Sequence, residues 1–302
     1  MSSIEKWWKG VWGWIKCKIF GKDCDKPSSN RVIIKGTNFE LNGKRFYPIA
    51  DTAWQLLKVS DPDIIHYLDT RKAQGFNVIK FGIECDTFGN SVNKPNEMRL
   101  LKIERILRWL KERNMFAELG LGPIMNYDKN IRIPLGEREK LGEVVGERFN
   151  KYDNIWAWIV GGLDDKFNVS QIKGIEKGLR KKDPNRIVGY HPAHNQQYEC
   201  DFTYAQSGHK NLTENNVINL QNKASKTKPW YDGEPCYEHL AQYGNESHII
   251  DHNDIIKITK AGLNRKAGLT YGSIKVALFE NGWKNKLNSK GVQEFLKIAN
   301  NI

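Results

Sequence analysis

The chain has 302 residues, of which 39% are hydrophobic and 11% aromatic, enough to fill the core of one α/β barrel and to exclude wholesale disorder. Its formal net charge of +12 predicts an anionic partner such as an acidic carbohydrate, but the basic residues are scattered and match no nucleic-acid motif, which argues against dedicated nucleic-acid binding. No apolar run reaches the roughly 18 residues of a transmembrane segment.

Residues 1–30 are predicted to be a separate segment, in front of a domain of residues 31–302. The first 26 contain a Trp-rich basic amphipathic helix, whose apolar residues recur at helical spacing: Ile4, Trp7, Trp8, Val11 and Ile15. Such a helix docks on a protein partner, lies on a membrane surface or packs against its own domain, and these alternatives remain open. Lysines interrupt every apolar run, so no secretory signal is predicted, and we expect a cytoplasmic or virion-assembled protein.

Strand-like and helix-like stretches alternate after a short predicted hairpin at 31–50. The predicted strands are Phe46–Ala50, Phe76–Ile83, Met115–Leu121, Ile155–Val160, Arg186–Tyr190, Asp201–Ala205, Pro229–Tyr231 and Gly268–Tyr271. The predicted helices lie near 61–74, 97–113, 136–151, 168–182, 213–226, 252–267 and 289–301. The connection at 193–200 is short and lacks a clear helical pattern.

Eight strands that alternate with helices predict parallel pairing with right-handed crossovers. The predicted fold is therefore α/β, a single (β/α)₈ TIM barrel with a short N-terminal amphipathic helix and a hairpin extension. A doubly wound open sheet is the competing fold. It more often carries a Gly-rich loop after its first strand, and the segment FYPIADTAW contains none.

Polar and aromatic side chains follow most of the predicted strands, where the active sites of such barrels lie. Acids, amides, histidines and aromatic rings together suit a carbohydrate, whose hydroxyl groups need polar partners and whose C–H faces stack on rings. Glycoside cleavage needs two carboxyl groups that flank the bond, and acids after strands four and seven face each other across a barrel mouth. Each of these residues also has a plainer interpretation, such as a helix cap for Asp164 and Asp165 or a core position for Trp54.

No metal ion or cofactor is predicted. The five cysteines contain no CxxC pair, and the seven histidines form no ligand pair on a helix face. The odd number of cysteines also argues against a complete disulfide framework.

Seven segments, in this order, resemble one family of enzymes: FYPIADTAWQLL, YLDTRKAQGFNVIKF, IWAWIVGGLDD, DPNRIVGYHP, DFTYAQSGH, KPWYDGEPCYEH and AGLTYG. The chain resembles the apiosidase-like glycoside hydrolases, family 140 of the carbohydrate-active enzymes, over roughly residues 36–275. The resemblance implies a retaining (β/α)₈ hydrolase that acts on polysaccharide side chains.

The resemblance also implies residue roles. The nucleophile of the family falls on Glu234, and the acid/base falls on the strand-four loop. There the family has Gly-Gly-Asp, whereas this chain has Gly161-Gly162-Leu163-Asp164-Asp165. Either Asp164 or Asp165 takes the role of general acid, or that acid is missing. The substrate-binding residues that the resemblance implies are Asp51, Trp54, His191, Gln206, His209 and Tyr237. Two more are predicted from their position in the sequence: Glu84 follows the second strand, and Glu238 lies four residues after Glu234 and is expected to brace the pocket.

Two functions from different classes follow. The first is a glycoside hydrolase with Glu234 as nucleophile and an Asp of the strand-four loop as acid/base. The second is a catalytically impaired barrel that serves as a structural or glycan-binding part of a larger assembly, for example a phage virion, held there by its N-terminal helix.

Overall fold

The computed structural model describes residues 31–83, 87–88, 91–121, 134–161, 169–192, 196–208, 212–242, 244–265 and 268–301. The predicted N-terminal helix lies outside these residues. The division of the chain at residue 30 therefore stays a prediction.

The predicted hairpin is present as a small antiparallel sheet. Its strands are β1 (Ile33–Lys35), β2 (Asn38–Leu41) and β3 (Lys44–Phe46). The β2–β3 turn uses Asn42 and Gly43, both with positive φ, as a two-residue hairpin turn requires. Phe39 of β2 packs edge-on against Trp156 at 5.1 Å, so the hairpin contributes to the core of the domain.

Six strands form one parallel sheet in the order β14-β4-β5-β6-β7-β8. Their bounds are β4 (Ile49–Thr52), β5 (Val78–Ile83), β6 (Phe116–Leu121), β7 (Ile155–Gly161), β8 (Ile187–His191) and β14 (Leu269–Tyr271). Every residue of β5, β7 and β8 is buried, because helices cover a parallel sheet on one face and the interior fills the other. The first and last of the predicted strands thus pair directly with each other, as β4 and β14.

A second sheet contains the remaining two predicted strands. Strand β10 (Thr203–Gln206) pairs in parallel with β11 (Trp230–Asp232), and β9 (Gln196–Glu199) pairs antiparallel with β10. The non-helical connection at 193–200 thus contains an extra strand. The fold prediction is confirmed in part, because the structure has an α/β fold with a curled six-stranded parallel sheet. Among the described residues, no strand ladder joins β8 to β10 or β11 to β14.

The other elements lie between and after these strands. A short antiparallel pair consists of β12 (Ala241–Gln242) and β13 (Asn245–Ile249). The α-helices are α1 (Asp61–Gln74), α2 (Glu97–Glu112), α3 (Arg138–Phe149), α4 (Val169–Lys182), α5 (Glu214–Lys223), α6 (His252–Gly262), α7 (Ile274–Ala277) and α8 (Lys290–Ala299). Each of the seven predicted helices has a counterpart, although the predicted helix 252–267 changes to a 3₁₀ turn at Leu263–Arg265.

Local sequence explains where helices begin and end. The Ser60 side chain accepts a hydrogen bond from the Asp63 backbone N–H at the start of α1, and Gly75 ends that helix in a left-handed conformation at φ 98°. Asp251 and Asp254 form a reciprocal capping box at the start of α6. Within the described part of the chain, no helix has the length and apolar character needed to cross a membrane.

Candidate active site

Glu234 lies two residues after the end of β11 and is buried, with 2% of the residue exposed. Gly233 and Pro235 flank it. A Cβ atom at position 233 would lie 1.9 Å from Cζ of Tyr204, so only glycine fits beside that ring. The close approach of the Tyr204 ring explains why glycine precedes Glu234.

Two aromatic side chains hold one carboxylate oxygen of Glu234. Trp54 Nε1 donates to Oε1 at 3.2 Å, and the Tyr237 hydroxyl donates to the same oxygen. Trp54 Nε1 also lies 2.5 Å from the Tyr237 hydroxyl oxygen. All three side chains are buried, so this oxygen is fixed by donors in a medium where hydrogen bonds to a charged group are strong.

Two further side chains reach the other oxygen. Gln206 Nε2 donates to Glu234 Oε2 at 3.1 Å, and His191 Nε2 lies 2.6 Å from that oxygen. His191 Nδ1 lies 2.9 Å from the carbonyl oxygen of Pro192, which only accepts, so Nδ1 carries a proton. Burial lowers the pKa of His191, and the neighbouring Glu234 carboxylate opposes that effect.

These side chains come from the carboxyl ends of parallel strands, where the sequence placed them. His191 ends β8 and Gln206 ends β10, while Trp54 follows β4 by two residues and Tyr237 follows β11. Parallel strands end at one edge of the sheet, so residues far apart in the sequence meet there. The structure therefore brings four of the predicted substrate-binding residues around Glu234.

Asp51 lies elsewhere. Its side chain is fully buried and accepts hydrogen bonds on Oδ2 from Arg71 Nε and the Tyr67 hydroxyl, both at 2.6 Å. Both donors belong to α1, so the carboxylate is directed at the helix layer rather than at Glu234. These contacts indicate that Asp51 ties β4 to α1.

Glu238 also has structural partners. Its Oε2 accepts from Ser289 Oγ at 2.6 Å and from the Tyr271 hydroxyl at 2.5 Å, and its Oε1 accepts from the Gly291 backbone N–H at 3.0 Å. Ser289 and Gly291 lie at the start of α8. A buried carboxylate with three donors thus fixes the first turn of that helix against the end of β14.

Four predicted site residues lie outside the described residues: Glu84, Asp164, Asp165 and His209. The proposed general acid on the strand-four loop is among them. Its role stays a prediction.

Three further charged groups are buried in the strands near Glu234, and the sequence reasoning assigned a role in the site to none of them. Lys80 lies in β5, Glu118 in β6 and Asp232 at the end of β11, and all are nearly inaccessible to solvent. Burial raises the pKa of Glu118 to about 7 and that of Asp232 to about 7. The signal was present as charged residues within the apolar stretches VIKFGI and FAELGL, because a charge in a buried strand needs a partner.

A search for metal-binding clusters finds no group of three or more His, Cys, Asp or Glu side chains suited to hold a metal ion among the residues that the structure covers.

Comparison with known protein families gives a match to the apiosidase-like catalytic domain over residues 35–301. The chain belongs to the apiosidase-like family. This confirms the resemblance stated above at the level of the family, whereas the number 140 stays a prediction. A search of the curated proteins found no match.

Several solved structures share the fold of this apiosidase-like protein. One described as a glycoside hydrolase is 18% identical, with a TM-score of 0.77, and the match covers 90% of this chain and 74% of that chain. A glycoside hydrolase family 5 protein from Bacteroides vulgatus is 16% identical, with a TM-score of 0.75 and coverages of 90% and 71%. A β-glucanase from Saccharophagus degradans, solved in complex with cellotetraose, is 13% identical, with a TM-score of 0.62 and coverages of 89% and 93%.

Proposed function

We propose that this apiosidase-like protein is a retaining glycoside hydrolase that cleaves a glycosidic bond of a polysaccharide. Glu234 is the proposed nucleophile, and Asp164 or Asp165 is the proposed acid/base. The observation that carries the proposal is the Glu234 carboxylate, which is buried at a strand end and held on both oxygens by the side chains of Trp54, Tyr237, Gln206 and His191. A full eight-stranded barrel, closed between β8 and β10 and between β11 and β14, is part of the same proposal.

The proposed reaction has two steps. In the first, a Glu234 oxygen forms a bond to the anomeric carbon while the bond from that carbon to the leaving oxygen breaks, and the general acid protonates the leaving group. In the second step, the residue that served as general acid now acts as a base and takes a proton from water. The water oxygen attacks the anomeric carbon, and the bond from that carbon to Glu234 breaks. Two displacements at one carbon retain its configuration.

The donors around Glu234 have a defined part in this scheme. They hold the carboxylate in one orientation, so that no reorganisation is needed when the bond to carbon forms. Gln206 Oε1 is buried and accepts no hydrogen bond from the described residues, which leaves an acceptor for a sugar hydroxyl beside the nucleophile. The net charge of +12 supports an acidic poly- or oligosaccharide as the substrate.

The direct test is an assay on activated aryl glycosides and bacterial surface polysaccharides, with ¹H NMR of the first-formed anomer. We expect turnover with retained configuration in the wild type and none in Glu234→Gln. Glu246→Gln is the matched control, because Glu246 is exposed on β13. Absence of turnover in the wild type, or equal turnover in Glu234→Gln, would favour the impaired barrel with a structural or glycan-binding role.

The acid/base is tested separately with Asp164→Asn and Asp165→Asn. Loss of the general acid slows cleavage of poor leaving groups by about 10²–10⁴-fold but spares the first step for activated ones. We expect one of the two variants to show this difference. If neither does, the general acid lies at another position.

A further inference from the structure

The side chain of Lys80 links β5 to the segment that follows β11. It is the only charged residue of β5, and it is completely buried. Its Nζ donates a hydrogen bond to the carbonyl oxygen of Gly233 at 2.7 Å, across 153 positions of sequence. Gly233 directly precedes Glu234, so the lysine holds the peptide unit from which the proposed nucleophile extends.

The same ammonium group contacts a ring that binds Glu234. Nζ lies 4.4 Å from the centroid of the Trp54 ring, within the range of a cation–π interaction. Trp54 donates its indole N–H to Glu234 Oε1. Lys80 therefore supports the carboxylate by two routes, through the backbone at Gly233 and through the Trp54 ring. Nζ is also 5.4 Å from the centroid of the Tyr204 ring.

Three carboxyl groups act electrostatically on Lys80, those of Glu234, Glu118 and Asp232. Burial lowers the pKa of Lys80, and these three groups oppose that effect. Glu118 and Asp232 each have a pKa of about 7, so near neutral pH each of them is only partly ionised. A buried ammonium group requires a compensating anion, and of the three carboxyl groups Glu234 acts most strongly on Lys80.

We propose that Lys80 is a positioning residue for Glu234: its ammonium group fixes the Gly233–Glu234 peptide unit and keeps the Glu234 carboxylate ionised. The proposal rests on the proposed function in one respect, since an ionised carboxylate is the form that attacks an anomeric carbon. It deepens that function by adding a cation, remote from the sugar, that determines the protonation of the nucleophile. The other groups facing Glu234 are Trp54, His191, Tyr204, Gln206, Asp232 and Tyr237.

A purely structural lysine, which only fills space between β5 and β11, would also destabilise the protein when replaced. The two roles differ in the titration of Glu234. An opposite charge at close range lowers the pKa of a carboxyl group by about 1–3 units. A lysine with a structural role alone leaves that titration unchanged.

The experiment is a ¹³C NMR titration of protein labelled at the glutamate side-chain carboxyl carbon, with Glu234→Gln to assign the Glu234 signal. We expect Lys80→Met to raise the midpoint of Glu234 by about 1–3 pH units. Lys80→Gln keeps a hydrogen-bond donor for the Gly233 carbonyl without the charge, and we expect a similar rise. Lys72→Met, on the exposed side of α1, is the matched control with no change. An unchanged midpoint in Lys80→Met and Lys80→Gln overturns the proposal.

A second measurement does not depend on how Lys80 variants fold. Electrostatic coupling is reciprocal, so removal of the Glu234 charge must lower the midpoint of Lys80 by a similar amount. We expect this shift in the ¹⁵N titration of the lysine Nζ groups when the wild type is compared with Glu234→Gln. Equal Lys80 midpoints in the two proteins overturn the proposal.

Failure of this proposal is distinguishable from failure of the proposed function. A wild type without glycosidase turnover, in which the midpoints shift as expected, refutes the function and supports the role of Lys80. An active wild type in which the midpoints of Glu234 and Lys80 do not shift supports the proposed function and refutes the role of Lys80.

Discussion

The imidazole Nε2 of His191 and the carboxylate Oε2 of Glu234 lie 2.6 Å apart, while His191 Nδ1 is occupied by the Pro192 carbonyl. With its proton on Nδ1, a neutral ring would point a lone pair at the carboxylate, and two acceptors repel each other at that distance. Nε2 therefore donates to Oε2 when the ring is protonated, a form that the Glu234 carboxylate favours and that burial disfavours by lowering the pKa of His191.

Replacement of His191 by Phe removes the donor to Glu234 Oε2 and keeps a ring of similar shape. A hydrogen bond to a charged group is worth about 1.5–3 kcal/mol, so we expect kcat/KM for an aryl glycoside to fall by about 10- to 100-fold. His191→Gln is the companion variant, because it offers an N–H group that does not titrate. An unchanged kcat/KM in His191→Phe would show that the contact does not affect the nucleophile.

Gly233→Ala is expected to destabilise the domain. The added Cβ would lie 1.9 Å from Cζ of Tyr204, whose ring is completely buried and contacts the rings of His191 and Tyr231. Overpacking of this kind costs about 1–3 kcal/mol or more of the free energy of unfolding. Urea unfolding of the variant measures it. Gly136→Ala is the matched control, because no atom of the described residues lies within 4 Å of a Cβ at that position. Equal stability of the two variants would contradict the prediction.

Glu238→Gln is expected to loosen the start of α8. The carboxylate accepts hydrogen bonds from Ser289, Tyr271 and the Gly291 N–H, and an amide replaces one acceptor oxygen by a donor. We expect the free energy of unfolding to fall by about 2 kcal/mol, measured by urea titration. Glu294→Gln is the control on the same helix, since its exposed ion pair with Lys297 is worth less than about 1 kcal/mol. A higher KM with unchanged stability would instead support the substrate-binding role predicted from the sequence.

The raised pKa of Glu118 predicts that the free energy of unfolding depends on pH. Burial raises its pKa from 4.5 to about 7 in the folded protein, against the opposing charge of Lys80. Between those values the folded state binds more protons than the unfolded state, so stability falls as the pH rises. At 1.36 kcal/mol per pKa unit, the contribution is about 3 kcal/mol.

The measurement compares urea unfolding of the wild type and Glu118→Gln from about pH 4 to about pH 8. Glutamine does not titrate, so the wild type is expected to lose stability relative to the variant across this range. Asp232, whose pKa is also about 7, remains in both proteins and cancels in the difference. If the free energies of unfolding of the wild type and Glu118→Gln differ by the same amount at every pH, the predicted titration of Glu118 is wrong.

Much of the fold could be predicted from local pattern. Buried strands such as IWAWIVG are continuous apolar runs, and helices such as α2 have one apolar stripe, so periodicity alone located them. The strand at 196–199 escaped prediction because its sequence, QQYE, is polar and pairs only at the edge of a sheet. Its pairing with β10 is a tertiary contact, and the sequence of a short polar segment does not indicate such a pairing.

The positions of the candidate site residues could also be predicted only in part. Glu234, His191 and Gln206 could be placed at one edge of the sheet because each stands at or after the end of an apolar strand, and the family resemblance implied their roles. Asp51 follows the same rule and yet is directed at α1, because Arg71 and Tyr67 of that helix supply its partners. Whether a residue at a strand end faces the interior or the helix layer depends on neighbours that sequence spacing does not identify.

The sequence by itself determined most of the apolar strands and helices and which acid lies between Gly233 and Pro235. Only the tertiary structure decided the partners of that acid. Trp54 and Glu234 are 180 positions apart, and Lys80 and Gly233 are 153 apart. Hydrophobic periodicity records burial one residue at a time, whereas a hydrogen bond depends on the position of two side chains, which the packing of the whole domain determines.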